Sequence, residues 1–498
     1  MGLSDGLLLG IDAGQTTTKA ALFELDGHQV ACGEAVIDTT APAPRWQERS
    51  MAEVWDGCVS AVRRCLDAAP QEPEVVLGVG VCGHGDGLYL VDEKLDPIEP
   101  AVLATDSRAH GYAARTCTGP VGERALELTG QVPFAASPAS LLAWLRDHRP
   151  ETYARVRWAL HCKDWIRLRL TGEVATDPTE ASASFADVST QDWSAEALAL
   201  YGLEELATAL PPIRGCAELA GRLTAEAASA TGLPAGIPVV TGAHDVDAAA
   251  LGVGATSPGA LSVVMGTFSI NQVVAEEPRR DVRWQARAFL ERGRWLHMST
   301  SPSSANNLEW VVRQFGPHGP SGRPDHEAAL AEGCAAARRG EADDAPIFLP
   351  FLYGSPHGDD LGAGWVGLRG WHDRGDVLRA VLEGVVFNHR THVEVLSGSF
   401  DVRGRPARLC GGGARSSHWS QLLADGLGLG VEVTDADEAG ARGAAMLAGL
   451  GISAYADVPA AVERAVRVVR SHEPDARAQE RMAAGFDRYR AVVEALLS

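Results

Sequence analysis

The chain has 498 residues, 46% of them hydrophobic, which is enough for two domains that each bury a core. A formal net charge of −21 without Lys or Arg clusters argues against a nucleic-acid partner. A nucleotide substrate stays open, because one triphosphate needs only a local set of donors and a metal. The nine cysteines form no C-x-x-C pair, which argues against a zinc module or disulfide framework and suits a reducing cytoplasm. An opening strand without a basic leader, and no long apolar run after it, predict neither a signal peptide nor a membrane span.

In chain order, the residues predict a strand over 7–12, a Gly-Gln-Thr turn, a second strand over 19–24, a turn at Asp26-Gly27 and a third strand near Val30. A helix is expected over 52–68 and a strand over 75–81, then mainly helical patterns from about 113 to 230. Another buried strand is expected over 237–242, with a helix beginning at Ala248. The strand-turn-strand pattern then returns, over 261–265, Gly266-Thr267 and 270–275. This recurrence predicts a duplicated architecture, with a boundary near 242–254. A loop is expected over 316–327 and a charged helix after Glu473.

Four constellations carry chemistry. Asp12-Ala13-Gly14-Gln15-Thr16-Thr17-Thr18-Lys19 puts small and hydroxyl residues in a tight turn that can present N–H and O–H groups to a polyanion. Asp12 is placed to hold Mg²⁺ and Lys19 to act as counter-charge. A polar hairpin turn explains the same residues. Gly266-Thr267 admits the same two readings. Cys410-Gly411-Gly412-Gly413-Ala414 ends a strand before a helix over 419–427, and its three glycines let backbone approach a flat or charged ligand. His244-Asp245-Val246-Asp247 follows a strand, where Asp245 reads either as a carboxylate facing a ligand or as a helix N-cap. Gly78 to Gly83 matches G-x-G-x-x-G but runs toward another strand instead of opening a helix, so a dinucleotide fingerprint is rejected.

In this order the pieces resemble the FGGY family of carbohydrate kinases over roughly residues 7 to 450. Asp12 to Lys19 is similar to the opening D-x-G-T-T-x-x-[KR], with Gln15 replacing the first Thr. Gly411-Gly412-Gly413-Ala414-Arg415-Ser416-Ser417-His418-Trp419 resembles G-G-G-A-x-S-x-x-W, and 438–445 its continuation. The resemblance implies an α/β fold of two ribonuclease-H-like (actin-like ATPase) domains flanking a catalytic cleft. It assigns 1–250 to sugar binding and the first phosphate turn, and 251–498 to adenosine binding.

It also implies ATP and Mg²⁺, with Asp245 as catalytic base, Asp247 as the fallback, and Asp12 and Asp245 at the metal. Gly14, Thr16, Thr17, Lys19, Gly266, Thr267, Gly411, Gly412, Gly413 and Ala414 are expected at ATP. His84-Gly85-Asp86-Gly87 aligns with the family's sugar-pocket segment and Asp106-Ser107-Arg108 with its W-x-D-x-R element. His84, Asp86, Asp106, Arg108 and Asp245 are therefore expected at the sugar. Asp86 also reads as a turn residue and His84 as a satisfied core histidine. These segments, with 301–310, resemble the subgroup of L-xylulose, 3-keto-L-gulonate and erythritol kinases. Many members of the family are dimers, which leaves a homodimer open. The competing function is an actin-like ATPase with a conformational or regulatory role, and the sugar-pocket segments argue against it.

Overall fold

The computed structural model describes residues 6–339, 344–357, 361–402 and 404–498. Its main strands are β1 (Leu7–Ala13), β2 (Thr17–Glu24), β3 (Gln29–Val36), β4 (Val76–Gly83), β5 (Leu219–Arg222), β6 (Pro238–Val240), β7 (Ala243–His244), β8 (Leu261–Met265), β9 (Ser269–Ala275), β10 (Gln285–Ala288), β11 (Trp295–Ser301), β12 (Ala407–Cys410), β13 (Val431–Thr434) and β14 (Val468–His472). The helices that matter below are α1 (Met51–Ala68), α2 (Cys162–Thr171), α3 (Pro178–Ala181), α4 (Asp245–Gly252), α5 (Asn306–Phe315), α6 (Arg374–Ser397), α7 (Ser417–Leu427), α8 (Ala439–Gly451) and α9 (Ala476–Leu497). The predicted opening hairpin and third strand are present. One expectation needs correction: the helix predicted to begin at Ala248 begins at Asp245, so Asp245 is its first residue and His244 takes the N-cap position.

Two compact units divide the chain. The first comprises 1–256, 274–297 and 436–466; the second 257–273, 298–435 and 467–498. In the first, the sheet runs β3-β2-β1-β4-β6-β5, with β7 also pairing β4. The β1–β2–β3 meander is antiparallel, whereas β1, β6 and β7 each run parallel to β4. In the second, the order β11-β9-β8-β12-β13-β14 repeats the theme: β8 is antiparallel to β9 but parallel to β12, which is parallel to β13. The duplicated strand-turn-strand units read from the sequence are therefore real.

The first unit's core forms between the sheet and α1. Buried Leu7, Leu9 and Ile11 alternate along β1, as a strand demands, and Val79 and Val81 do so on β4. They meet the helical stripe Val54, Trp55, Cys58, Ala61, Val62 and Cys65 of α1, whose first turn is capped by the Ser50 hydroxyl accepting from Glu53 N–H. The opposite face is covered by α8, which arrives from residues 439–451. A Cβ on Gly10 or Gly80 would lie 1.8 Å from the carbonyl oxygens of Ala441 and Ala444. Gly443 stands equally close to the Ala248 carbonyl of α4. The Ala- and Gly-rich composition of both helices is what lets their backbones pack at this distance.

Candidate active site

The predicted residues fall into two groups, one in each unit. In the first unit, Asp12 is the penultimate residue of β1 and pairs in register with Cys82 of β4, which pairs in turn with Ala243 of β7. Asp245 follows two residues later. Both carboxylates therefore emerge at the carboxyl ends of parallel strands, where ligands bind in open α/β sheets. Desolvation and the nearby Glu438 charge raise the Asp12 pKa to about 6, against a Cys82 hydrogen bond and the Lys19 charge. Desolvation, with Asp12 as the largest charge, raises Asp245 to about 8. The Asp12 charge thus bears on Asp245 and favours its protonated form.

Asp245 keeps 31% of its side chain exposed, whereas Asp247 keeps 1% and has both oxygens without a hydrogen-bond partner among the described residues. Of the two acids in the motif, Asp245 is the one that a ligand can reach. Its backbone is fixed from behind. His244 N–H donates to the Thr179 hydroxyl at 2.9 Å, and that hydroxyl donates to Asp177. Asp177 is bridged at 2.6 Å by Lys163, which also pairs with Asp164 on α2. Desolvation lowers the His244 pKa well below 6.5, helped by the Arg287 charge, so its ring is neutral beside Asp245 at 3.2 Å.

Asp12 also lies against the first turn of α8. Gly440 leaves room for it, since a Cβ there would be 2.3 Å from Oδ2. Lys19, opposite Asp12 in the β1–β2 register, is paired with Glu438 at 2.7 Å, just ahead of α8. The turn holding Gly14, Thr16 and Thr17 has Thr16 exposed and Gly14 and Thr17 half-buried. Its shape is held by buried Arg49, which donates to the carbonyls of Gln15, Asp38 and Ile37 and to the Thr39 hydroxyl.

His84 follows β4, with its N–H on the Ala13 carbonyl and its ring Nε2 3.1 Å from the Tyr89 hydroxyl. Desolvation lowers its pKa to about 4. Asp86 takes the left-handed conformation at φ 59° and pairs with Arg287 of β10 at 3.0 Å. The left-handed backbone fits the reading of Asp86 as a turn residue. Asp106 and Arg108 are bonded to each other, with Glu48 2.9 Å from Arg108 and the Gln47 N–H on Asp106. Both are buried, and Trp46 stacks under the guanidinium. Glu180 is wholly buried with neither oxygen hydrogen-bonded, and burial raises its pKa well above the usual range.

In the second unit, the turn after β8 and the glycines after β12 come together. Gly411 has φ 87°, and a Cβ on it would lie 2.8 Å from the Met265 carbonyl and 3.2 Å from Gly266 N. Gly411 and Gly412 are exposed, Gly413 and Ala414 buried, and the Ser416 hydroxyl caps α7 through Trp419 N–H. Thr267 is exposed. Gly266 is tied to Ala305 by a 2.9 Å backbone bond. Below it, His389 of α6 bridges the hydroxyls of Ser269 (3.1 Å) and Ser304 (2.9 Å).

Sequence reasoning missed Arg287, Glu180, His389 and Arg49. For Arg287, the signal was an arginine alternating with alanines in a strand. Lys163, one of three lysines in the chain, was quoted only as part of a motif.

Models of the FGGY family of carbohydrate kinases match this chain twice, the N-terminal domain over 7–252 and the C-terminal domain over 261–452. An L-xylulose/3-keto-L-gulonate kinase of Escherichia coli is 33% identical over 98% of this chain and 97% of its own. An erythritol kinase of Brucella abortus is 29% identical over 90% and 88%. The crystal structure of xylulose kinase from Rhodospirillum rubrum superposes with a TM-score of 0.86 at 27% identity, covering 98% of this chain and 99% of that one.

Proposed function

This chain belongs to the FGGY family of carbohydrate kinases, and from that premise we propose that it transfers the γ-phosphoryl group of ATP to a hydroxyl of a small sugar or polyol, with Asp245 as the base. The observation that carries the assignment is the Asp12–Asp245 pair at the carboxyl ends of β1 and β7, with Asp245 partly exposed and Asp247 enclosed. A carboxylate whose proton affinity is raised is matched to taking a proton from an alcohol, a role worth about 10²–10⁴-fold. Thr179 and His244 hold it in place, and His84 and Asp86 contact the acceptor's hydroxyls in this reading. Asp106 and Arg108 support the pocket as a paired unit.

The donor side uses Gly14, Thr16, Thr17 and Lys19 in the first unit. In the second it uses Gly266 and Thr267 for phosphate, and Gly411, Gly412, Gly413 and Ala414 for adenosine. Asp12 and Asp245 suit Mg²⁺: two mutually repelling carboxylates are what a hydrated divalent cation relieves, and Mg²⁺ takes its other ligands from water and phosphate. When bound, it neutralises charge on the transferring phosphoryl group.

Relatives act by name on L-xylulose, 3-keto-L-gulonate and erythritol, and these set the candidate acceptors. No helix among the described residues is long and apolar enough to cross a membrane. In this reading the protein works in the cytoplasm, where thiols such as its nine free cysteines stay reduced. The regulatory ATPase alternative is not favoured. The test is ADP release from ATP with Mg²⁺ across a panel of pentuloses, tetritols and hexulosonates. At least one should stimulate release well above the basal rate; a panel without effect would remove the kinase reading's acceptor.

A further inference from the structure

The turn at Gly266-Thr267 is weakly held from within its own hairpin, where Gly266 N–H reaches the Phe268 carbonyl only at 3.4 Å. A firmer contact comes from outside: the Gly266 carbonyl accepts from Ala305 N–H at 2.9 Å. Ala305 is set in turn by Ser304, whose polar groups are all engaged. Its N–H donates to Asn306 Oδ1 at 2.8 Å, its carbonyl accepts from Asn307 Nδ2 at 2.8 Å, and its hydroxyl meets His389 Nε2 at 2.9 Å. His389 reaches in from α6, and its Nδ1 lies 3.1 Å from the hydroxyl of Ser269, two residues beyond Thr267. One imidazole therefore clasps both flanks of the turn.

The partners fix which ring nitrogen carries the hydrogen. The Ser299 carbonyl can only accept, so the Asn271 amide turns its Nδ2 toward it at 3.4 Å and also donates to the Ser269 hydroxyl at 3.2 Å. Asn271 Oδ1 is then left facing His389 Nδ1 at 2.9 Å. An amide oxygen only accepts, so Nδ1 bears the hydrogen and Nε2 keeps its lone pair for the Ser304 hydroxyl. Desolvation, with His392 nearby, lowers the ring's pKa to about 3, which keeps it in this neutral form. His389, Ser269, Asn271 and Ser304 are wholly buried, so none has solvent at hand to replace a lost partner.

Resting on the donor-side reading above, we propose that His389 is a positioning residue for phosphoryl transfer. In its Nδ1–H tautomer it holds Ser304, and through Ala305 the Gly266-Thr267 turn, in the shape that receives the phosphates of the nucleotide. A turn left to fluctuate would have to be ordered at the moment of binding, and that cost is taken out of affinity. Helix α6 stays seated without this contact. Asn388 Nδ2 donates to the Ser301 hydroxyl at 2.7 Å, and His392 Nδ1 meets the Ser299 hydroxyl at 2.8 Å. The effect of replacing His389 is therefore local to the turn.

The experiment measures, by calorimetry with Mg²⁺, the affinity for the non-hydrolysable triphosphate AMP-PNP and for AMP, which lacks the outer phosphates. Thermal melts show which variants fold. His389→Leu should weaken AMP-PNP by about tenfold while AMP changes by less than about twofold. His389→Gln, whose Oε1 can take the Nε2 position and accept from Ser304, should recover most of the loss. His389→Asn reaches only the Nδ1 position and should behave like His389→Leu. Ser304→Ala should weaken AMP-PNP about threefold, again sparing AMP, and decides the matter if His389→Leu does not fold. Unchanged AMP-PNP affinity in the folded variants overturns the proposal, as does an equal loss for AMP and AMP-PNP, which a merely structural role would give. Recovery by Asn as good as by Gln overturns the route through Ser304. Thr267→Asp, an exposed change that sets a carboxylate at the turn, tests the underlying reading. It should abolish the advantage of AMP-PNP over AMP; if it does not, the phosphate role of the turn falls, and the inference with it.

Discussion

At the scale of single residues, the account turns on two carboxylates held against their preference. Asp12 is raised from 3.8 to about 6, so the folded state binds its proton more tightly than the unfolded chain does. Stability is therefore lost as pH rises from about 4 to 6, and the full cost is carried above that window. Replacing Asp12 by Asn should stabilise the ligand-free protein by about 1–3 kcal/mol at pH 7.5, with the gain shrinking to nothing below about pH 4. Denaturant melts across that range check it. Asp245 is raised by burial and by the charges of Asp12 and Asp86. A base must be deprotonated to act, so kcat/KM for the acceptor should fall as pH drops through a limb well above the ordinary carboxylate range. Asp86→Asn should move that limb to lower pH by roughly half a unit or more, because it removes a charge that favours the protonated form. A limb left in place would separate Asp86 from Asp245.

At the scale of elements, the site depends on α8 and on the short chain of bonds behind α4. Gly440→Ala would put a Cβ 2.3 Å from Asp12 Oδ2, far inside van der Waals contact, in a helix that already touches β1 and β4 backbone at Gly10 and Gly80. Neither side can yield without moving the other. The substitution should cost about 1–3 kcal/mol in thermal stability and most of the turnover. Gly440→Ser should behave no better. Thr179→Val keeps the shape but removes the hydroxyl that accepts from His244 N–H and donates to Asp177. It should lower kcat about tenfold with little change in acceptor KM and cost about 1–3 kcal/mol for the orphaned groups.

These elements also show what sequence could and could not reveal. The β1–β2 turn and the triple glycine were legible because their composition is local. Asp245 was ambiguous because a strand-to-helix boundary explains an aspartate equally well; only its exposure beside a buried Asp247 separates the two acids. Arg287 and Glu180 were not legible, because the Asp86 partner of Arg287 lies 201 residues away and Glu180 has no hydrogen-bond partner among the described residues.

At the scale of the molecule, the recurrence of strand-turn-strand units was visible in the residues, and the two sheets repeat it strand for strand from the hairpin to the parallel neighbours. The composition of the units was not visible. Residues 436–466 belong with the first unit because α8 covers its sheet, a packing that only the matched glycines of β1, β4 and α8 hint at. The stretch 438–445, read as the tail of an adenosine signature, thus also shapes the surroundings of Asp12 through Gly440 and pairs Glu438 with Lys19. The most direct test of Asp245 as the base is a paired measurement on Asp245→Asn, with turnover by ADP release and acceptor binding by calorimetry. The account predicts turnover reduced by about 10²–10⁴-fold or more with acceptor binding still measurable. Turnover close to wild type would contradict it.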